Sequence, residues 1–130
     1  MYKAVTRGIR VTVEPRFVEE ESQPDKGKFF FAYTVEITNL TAERVQLRSR
    51  HWTIFDGHGQ VQEVRGPGVV GKQPVLGPGE TFTYTSGCPL GTPGGTMQGT
   101  YGMTLDSGEA FQAEIPAFSL DSPFVRRVVH

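Results

Sequence analysis

A chain of 130 residues with 37% hydrophobic residues is long enough for one domain with its own core. Its 13 basic and 14 acidic side chains nearly cancel, to a net charge of −1, so no global field draws it onto nucleic acid or an anionic membrane. The 16 Gly and 9 Pro favour turns over helices, and the lone Cys88 excludes an internal disulfide, which fits a reducing compartment.

The opening MYKAVTRGIR lacks the apolar core of a signal peptide, and the longest apolar run, Phe29 to Tyr33, is far too short to span a bilayer. The expected location is therefore the cytoplasm, without membrane insertion. Val5, Ile9, Val11 and Val13 alternate with Thr6, Arg10 and Thr12, which predicts one half-buried strand over 5–13, ended by Pro15. Glu19, Glu20 and Glu21, followed by Pro24-Asp25-Lys26-Gly27, read as a solvated loop. Phe29, Phe31, Tyr33, Val35 and Ile37 then form the cleanest period-two series and predict a long sandwich strand. Val45 and Leu47 begin the next strand on odd positions, whereas Trp52 and Ile54 continue it on even ones. A parity switch needs one extra residue, so a β-bulge is expected near Ser49–His51, with Arg48, Arg50 and His51 re-aimed around it.

Asp56-Gly57-His58-Gly59 predicts a hairpin turn, and Val61 and Val64 mark the return strand with a second parity mismatch. A glycine-proline loop follows. Phe82 and Tyr84 resume the alternation, then Met97, Tyr101, Met103 and Leu105, interrupted at Gly99. Asp106-Ser107-Gly108-Glu109 makes another hairpin; Phe111, Ala113 and Ile115 return, Pro116 indicates an edge or strand end, and Phe118 and Leu120 close the core. The pattern predicts an all-β fold, an immunoglobulin/fibronectin type III-like antiparallel β-sandwich of seven to eight strands. Val11, Phe31, Tyr33, Val35, Trp52, Ile54, Phe82, Tyr101 and Phe111 are expected inside. One domain covers 1–125, and 126–130, with Arg126 and Arg127, is expected to fray.

Three constellations invite chemistry. Gly66-x-Gly68-x-x-Gly71 matches a dinucleotide fingerprint as a string, but that mechanism needs a strand before it and a helix after it. Here Val69, Val70, Pro74 and Gly77-Pro78-Gly79 follow, with no helical period. An anion nest of backbone amides remains open, with Arg65 and Lys72 beside it. His51, Asp56 and His58 are candidate transition-metal ligands. Two of them share a tight turn most of a strand away from the third, so no metal or other cofactor is expected. Cys88 lacks an identified base other than His51, so it reads as a buried thiol and not a nucleophile.

His51-Trp52-Thr53-Ile54, Gly66-Pro67-Gly68-Val69-Val70-Gly71, Leu76-Gly77-Pro78-Gly79-Glu80, Tyr84-Thr85-Ser86-Gly87-Cys88-Pro89-Leu90 and Met97-Gln98-Gly99-Thr100-Tyr101 together resemble the bacterial ApaG (CorD) family, as do Gln73-Pro74 and Ile115-Pro116-Ala117-Phe118. The resemblance implies a fibronectin type III-like sandwich and a genetic association with cobalt resistance and magnesium efflux. It also implies the protein-interaction role of related domains in larger eukaryotic proteins, and it carries over no catalytic residues. The expected function is a non-enzymatic module that binds a protein partner through Gly66, Gly68, Val69, Val70, Gly71 and Lys72. The alternative is a phosphate- or nucleotide-sensing domain that uses the same loop for a phosphate-containing small molecule; a hydrolase comes third.

Overall fold

The structure, a computed structural model, describes residues 1–125. Nine strands run in chain order: β1 (Tyr2–Thr6), β2 (Ile9–Phe17), β3 (Phe29–Asn39), β4 (Val45–Asp56), β5 (Val61–Pro67), β6 (Val75–Leu76), β7 (Thr81–Leu90), β8 (Gly94–Leu105) and β9 (Ala110–Asp121). All pairings are antiparallel. One sheet has the order β1-β2-β3-β7; the other has β5-β4-β8-β9, with β6 continuing the β5 side of β4. The expected sandwich is therefore present, and its helical content among the described residues is two three-residue 3₁₀ turns, Glu19–Glu21 and Pro24–Lys26. The tail expected at 126–130 lies outside the described residues.

The alternation that predicts the strands also builds the core. Ile9, Val11 and Val13 of β2 oppose Asn39, Ile37 and Val35 of β3, and these five apolar side chains are fully buried. Trp52 meets Tyr33 of the facing sheet and Tyr101 and Phe118 of its own sheet in edge-on aromatic contacts, at centroid distances of 5.3, 6.4 and 6.0 Å. Of the nine residues expected inside, seven are buried; Phe82 and Phe111 are half-buried at the margin of the core. Phe111 is covered there by the Arg7 guanidinium, 4.7 Å from its ring.

Three expectations need correction. The single strand at 5–13 is two strands, because Arg7 (φ 49°) and Gly8 (φ 80°) form a two-residue turn with both φ values positive. That hairpin turns Val5 outward, leaving it 55% exposed. Pro15 does not end β2, which continues to Phe17. The proline is tolerated because β1 runs out at Tyr2, opposite Val13, so β2 is an edge from there onward. The mismatch at Val61 and Val64 is no bulge: β5 pairs β4 in continuous register, and Val61 is exposed.

The parity switch in β4 is real. Leu47 and Ser49 are two residues apart, yet they face the adjacent Met103 and Gly102 of β8, so the extra residue is Arg48. A second bulge lies in β9, where Pro116 and Ala117 oppose the single Gln98. Truncating Phe31, which is fully buried, to Ala should cost about 3–5 kcal/mol in urea unfolding, a large part of a typical margin of roughly 5–15 kcal/mol.

Candidate functional site

The two sheets are unequally closed along their sides. On one side β1 and β2 pack against β9, where the Glu114 amide donates to Thr6 Oγ1 at 3.0 Å and Tyr2 stacks on Phe118 at 6.0 Å. On the other side the edges β5 and β7 face each other across a gap. A cavity of about 350 Å³ opens there, walled by Tyr33, Trp52, Ile54, Val64, Val69 and Met97. Tyr84, Ser86 and Cys88 of β7, Arg50 of β4 and Gln62 of β5 supply polar groups.

Arg50 belongs to the cavity because of the bulge. Beyond Arg48 the even positions of β4 point inward, so Arg50 shares the face of Trp52 and Ile54. It pairs in register with Gly66, and a Cβ on Gly66 would lie 3.0 Å from the guanidinium, so the bare backbone there gives the side chain its passage. Arg50 Nη1 then donates to the carbonyls of Pro67 and Gly68, each at 3.0 Å. The bulge also frees the Arg48 carbonyl, which accepts the Gly68 amide at 2.8 Å and the Gln73 side-chain amide at 2.9 Å.

These bonds fold the glycine-proline loop over the gap. Gly68 (φ 61°) can carry no side chain, since a Cβ would meet the Lys72 carbonyl oxygen at 2.2 Å. Val69 and Lys72 exchange two backbone hydrogen bonds of 2.8 Å, and Val70 (φ 44°) and Gly71 (φ 78°) are the two residues of the turn between them. The expected site residues therefore separate into two groups. Gly66, Gly68 and Val69 face inward or are buried, with Val69 only 1% exposed; Val70, Gly71 and Lys72 are exposed, Val70 by 53%. A β-branched residue at positive φ is a strained conformation, held here by the paired bonds on either side.

The other constellations are dispersed. His51 points away from the core and sits 3.1 Å from Glu63 Oε1 on the neighbouring strand. Asp56 Oδ1 accepts the amides of His58 and Gln60 within its own turn. Among the described residues no group of three His, Cys, Asp or Glu side chains is placed to hold a metal ion. Cys88 lies on the inward face of β7 and His51 on the outward face of the other sheet, so the two do not form a nucleophile–base pair. Burial pushes the Cys88 thiol up to about 11. Burial also raises the Tyr33, Tyr84 and Tyr101 phenols, while the Arg50 charge acts in the opposite direction on all three. Arg50, Tyr84 and Ser86 were not singled out as site residues from the sequence. The parity switch was the available signal for Arg50.

The raised Cys88 value has a sign that can be checked. The folded state keeps this proton up to about pH 11, whereas the unfolded thiol releases it near 9. Its contribution to stability is therefore full below pH 9 and lost as pH rises towards 11. The loss of stability measured by urea unfolding across that range should be shallower in Cys88→Ala. Alkylation of native protein by iodoacetamide at pH 8 should be slow and should accelerate on unfolding.

A family model described as the ApaG domain matches residues 19–105. A protein of Methylobacterium sp. (strain 4-46), named Protein ApaG, is 73% identical over 130 residues, covering 100% of both chains. Its counterpart from Rhodospirillum centenum is 62% identical over 126 residues, covering 97% of each. Among solved structures, a Bordetella pertussis protein named ApaA superposes with a TM-score of 0.87 at 54% identity, over 90% of this chain and 95% of that one. The C-terminal domain of wzt, at 8% identity and a TM-score of 0.55 over 96% of this chain and 79% of that one, shares the fold alone.

Proposed function

The chain belongs to the ApaG domain family, and from that premise we propose that it is a non-enzymatic binding module that engages a protein partner through the loop over its open side. The observation that carries this reading is Val70. An apolar, β-branched side chain stands half exposed at the tip of a turn, in a conformation a glycine would adopt without strain. Its buried neighbour Val69 serves the core; Val70 does not. Val75, 49% exposed on the same connection, adds a second apolar contact.

The loop suits a phosphate less well. The amides of Gly68, Val69 and Lys72 already donate to protein carbonyls, and the Pro67 and Gly68 carbonyls face Arg50. An anion nest needs those amides converging and free. The link to cobalt resistance and magnesium efflux then runs through the partner, in the cytoplasm. No helix among the described residues is long and apolar enough to cross a membrane.

Single substitutions separate the two valines. Val69→Ser should lower stability by roughly 2 kcal/mol or more, as buried methyl groups are lost and a hydroxyl is introduced. Val70→Gly should leave the fold intact and raise stability by about 1 kcal/mol, because relief of the positive-φ strain exceeds the added chain entropy. Affinity capture with quantitative mass spectrometry should then show the partner depleted on Val70→Gly. Undiminished enrichment with both Val70→Gly and Val75→Ser would rule out this surface.

A further inference from the structure

We propose that the cavity between β5 and β7 binds a small amphipathic carboxylate, with its apolar body between the sheets and its carboxylate held by Arg50 and Tyr84. Cavity shape and lining favour such a ligand. About 350 Å³ of space with aromatic and aliphatic walls, opening at one edge of the sandwich, is the form of a small-molecule pocket. A single ring or a short acyl chain suits this space.

The polar end is specified by two groups whose bonding is incomplete. Arg50 is the one charged residue lining the cavity, and among the described residues no carboxylate lies within ion-pair distance of it. Of its guanidinium nitrogens, Nη1 is engaged by the two loop carbonyls, while Nε and Nη2 make no hydrogen bond among the described residues. An inward-pointing cation in such a place is satisfied best by an anion.

The second group follows from counting hydrogens. Tyr101 is fully buried, and the partner of its hydroxyl is the hydroxyl of Tyr84. Two phenols carry two hydrogens, but their mutual bond uses one. If Tyr84 donated, the Tyr101 hydrogen would be sealed in the core without an acceptor, which is the costlier arrangement. Tyr101 therefore donates, and the Tyr84 hydrogen is left over. Tyr84 is 7% exposed and lines the cavity, so its hydroxyl offers a buried donor to whatever occupies that space. Burial raises its phenol well above the ordinary value, so it keeps this hydrogen at neutral pH.

One cation, Arg50, with the neutral donor Tyr84 and the neutral polar Ser86 and Gln62 on the same lining, matches a monoanion with two oxygens. A phosphate or pyrophosphate would bring more charge than Arg50 can offset, and a neutral amide would leave the guanidinium uncompensated. This inference concerns the pocket floor and does not rest on the partner reading, so partner capture and ligand binding can fail separately.

Trp52, the one tryptophan in the chain, lines the cavity and reports occupancy by fluorescence. The full chain is titrated with 4-phenylbutyrate and octanoate, and in parallel with 4-phenylbutanamide and inorganic pyrophosphate. The expected result is saturable binding of at least one carboxylate, with 4-phenylbutyrate about tenfold or more tighter than its amide. Tyr84→Phe combined with Tyr101→Phe removes the donor without stranding the Tyr101 hydrogen and should weaken binding about tenfold. Arg50→Gln should weaken it at least as much. Because Arg50 also ties down the loop, Arg50→Lys serves as the second variant and should recover part of the affinity through charge alone. Circular-dichroism melts confirm that each variant is folded. Absence of saturation by either carboxylate overturns the proposal, as does equal binding of acid and amide. Affinity indifferent to the tyrosine pair and to Arg50→Gln also overturns it, as does saturation by pyrophosphate alone.

Discussion

One extra residue in β4 sets most of what is specific about this sandwich. Without Arg48 the strand would carry Val45 and Leu47 inward and then turn Trp52 and Ile54 to solvent. With it, both halves of the strand feed the same core. The insertion also takes the Arg48 carbonyl out of the ladder with β8, where it meets the Gly68 amide and the Gln73 side chain. Two residues further on it turns Arg50 inward. Core packing, loop position and cavity charge thus share one backbone irregularity. Gly102, opposite the bulge, leaves room for it, since a Cβ there would meet Ser49 Oγ at 2.3 Å.

The asymmetry between the two sides of the sandwich follows from where the strands run out. β1 and β9 extend the sheets far enough to pack on one side, and the Glu114 backbone amide, donating to Thr6 Oγ1, ties the seam. On the other side β5 and β7 leave the sheets splayed, and the Val69–Lys72 hairpin is a lid of a single turn. Polar residues gather on that side's inner face, with Arg50, Ser86 and Tyr84 where the closed side has Val11, Val13 and Ile115. Hydrophobic stability alone does not account for this placement, because an inward Arg and a buried phenol hydrogen both cost free energy unless they are paired.

The sandwich itself was legible because its strands are long and amphipathic with period two. Phe29 to Ile37 could be read directly, and the β4 bulge was forced by parity alone, although its position came out one residue late. The Arg7-Gly8 turn was hidden because Val5 continues the spacing of Ile9 and Val11; only the backbone shows that the chain reverses there. Pro15 and Pro116 were misleading or ambiguous for a common reason. Whether a proline ends a strand depends on what lies beside it, and sequence spacing does not give sheet neighbours. The loop was recognised from its glycines and prolines, but its division into a buried Val69 and an exposed Val70 depends on a two-residue turn. Tyr84 and Tyr101 lie on strands from different sheets, so their shared hydrogen bond had no sequence signal.

The loop and the pocket also constrain each other physically. Val69 is at once a wall of the cavity and the residue that, with Lys72, fixes the Val70 turn. Arg50 faces the cavity while its Nη1 holds the Pro67 and Gly68 carbonyls. Nε and Nη2 stay free of those two bonds, so one side chain presents an anchor to the loop and a charge to the cavity. Val70 and Gly71 border the same cavity, so the turn that exposes Val70 also forms part of the cavity's rim.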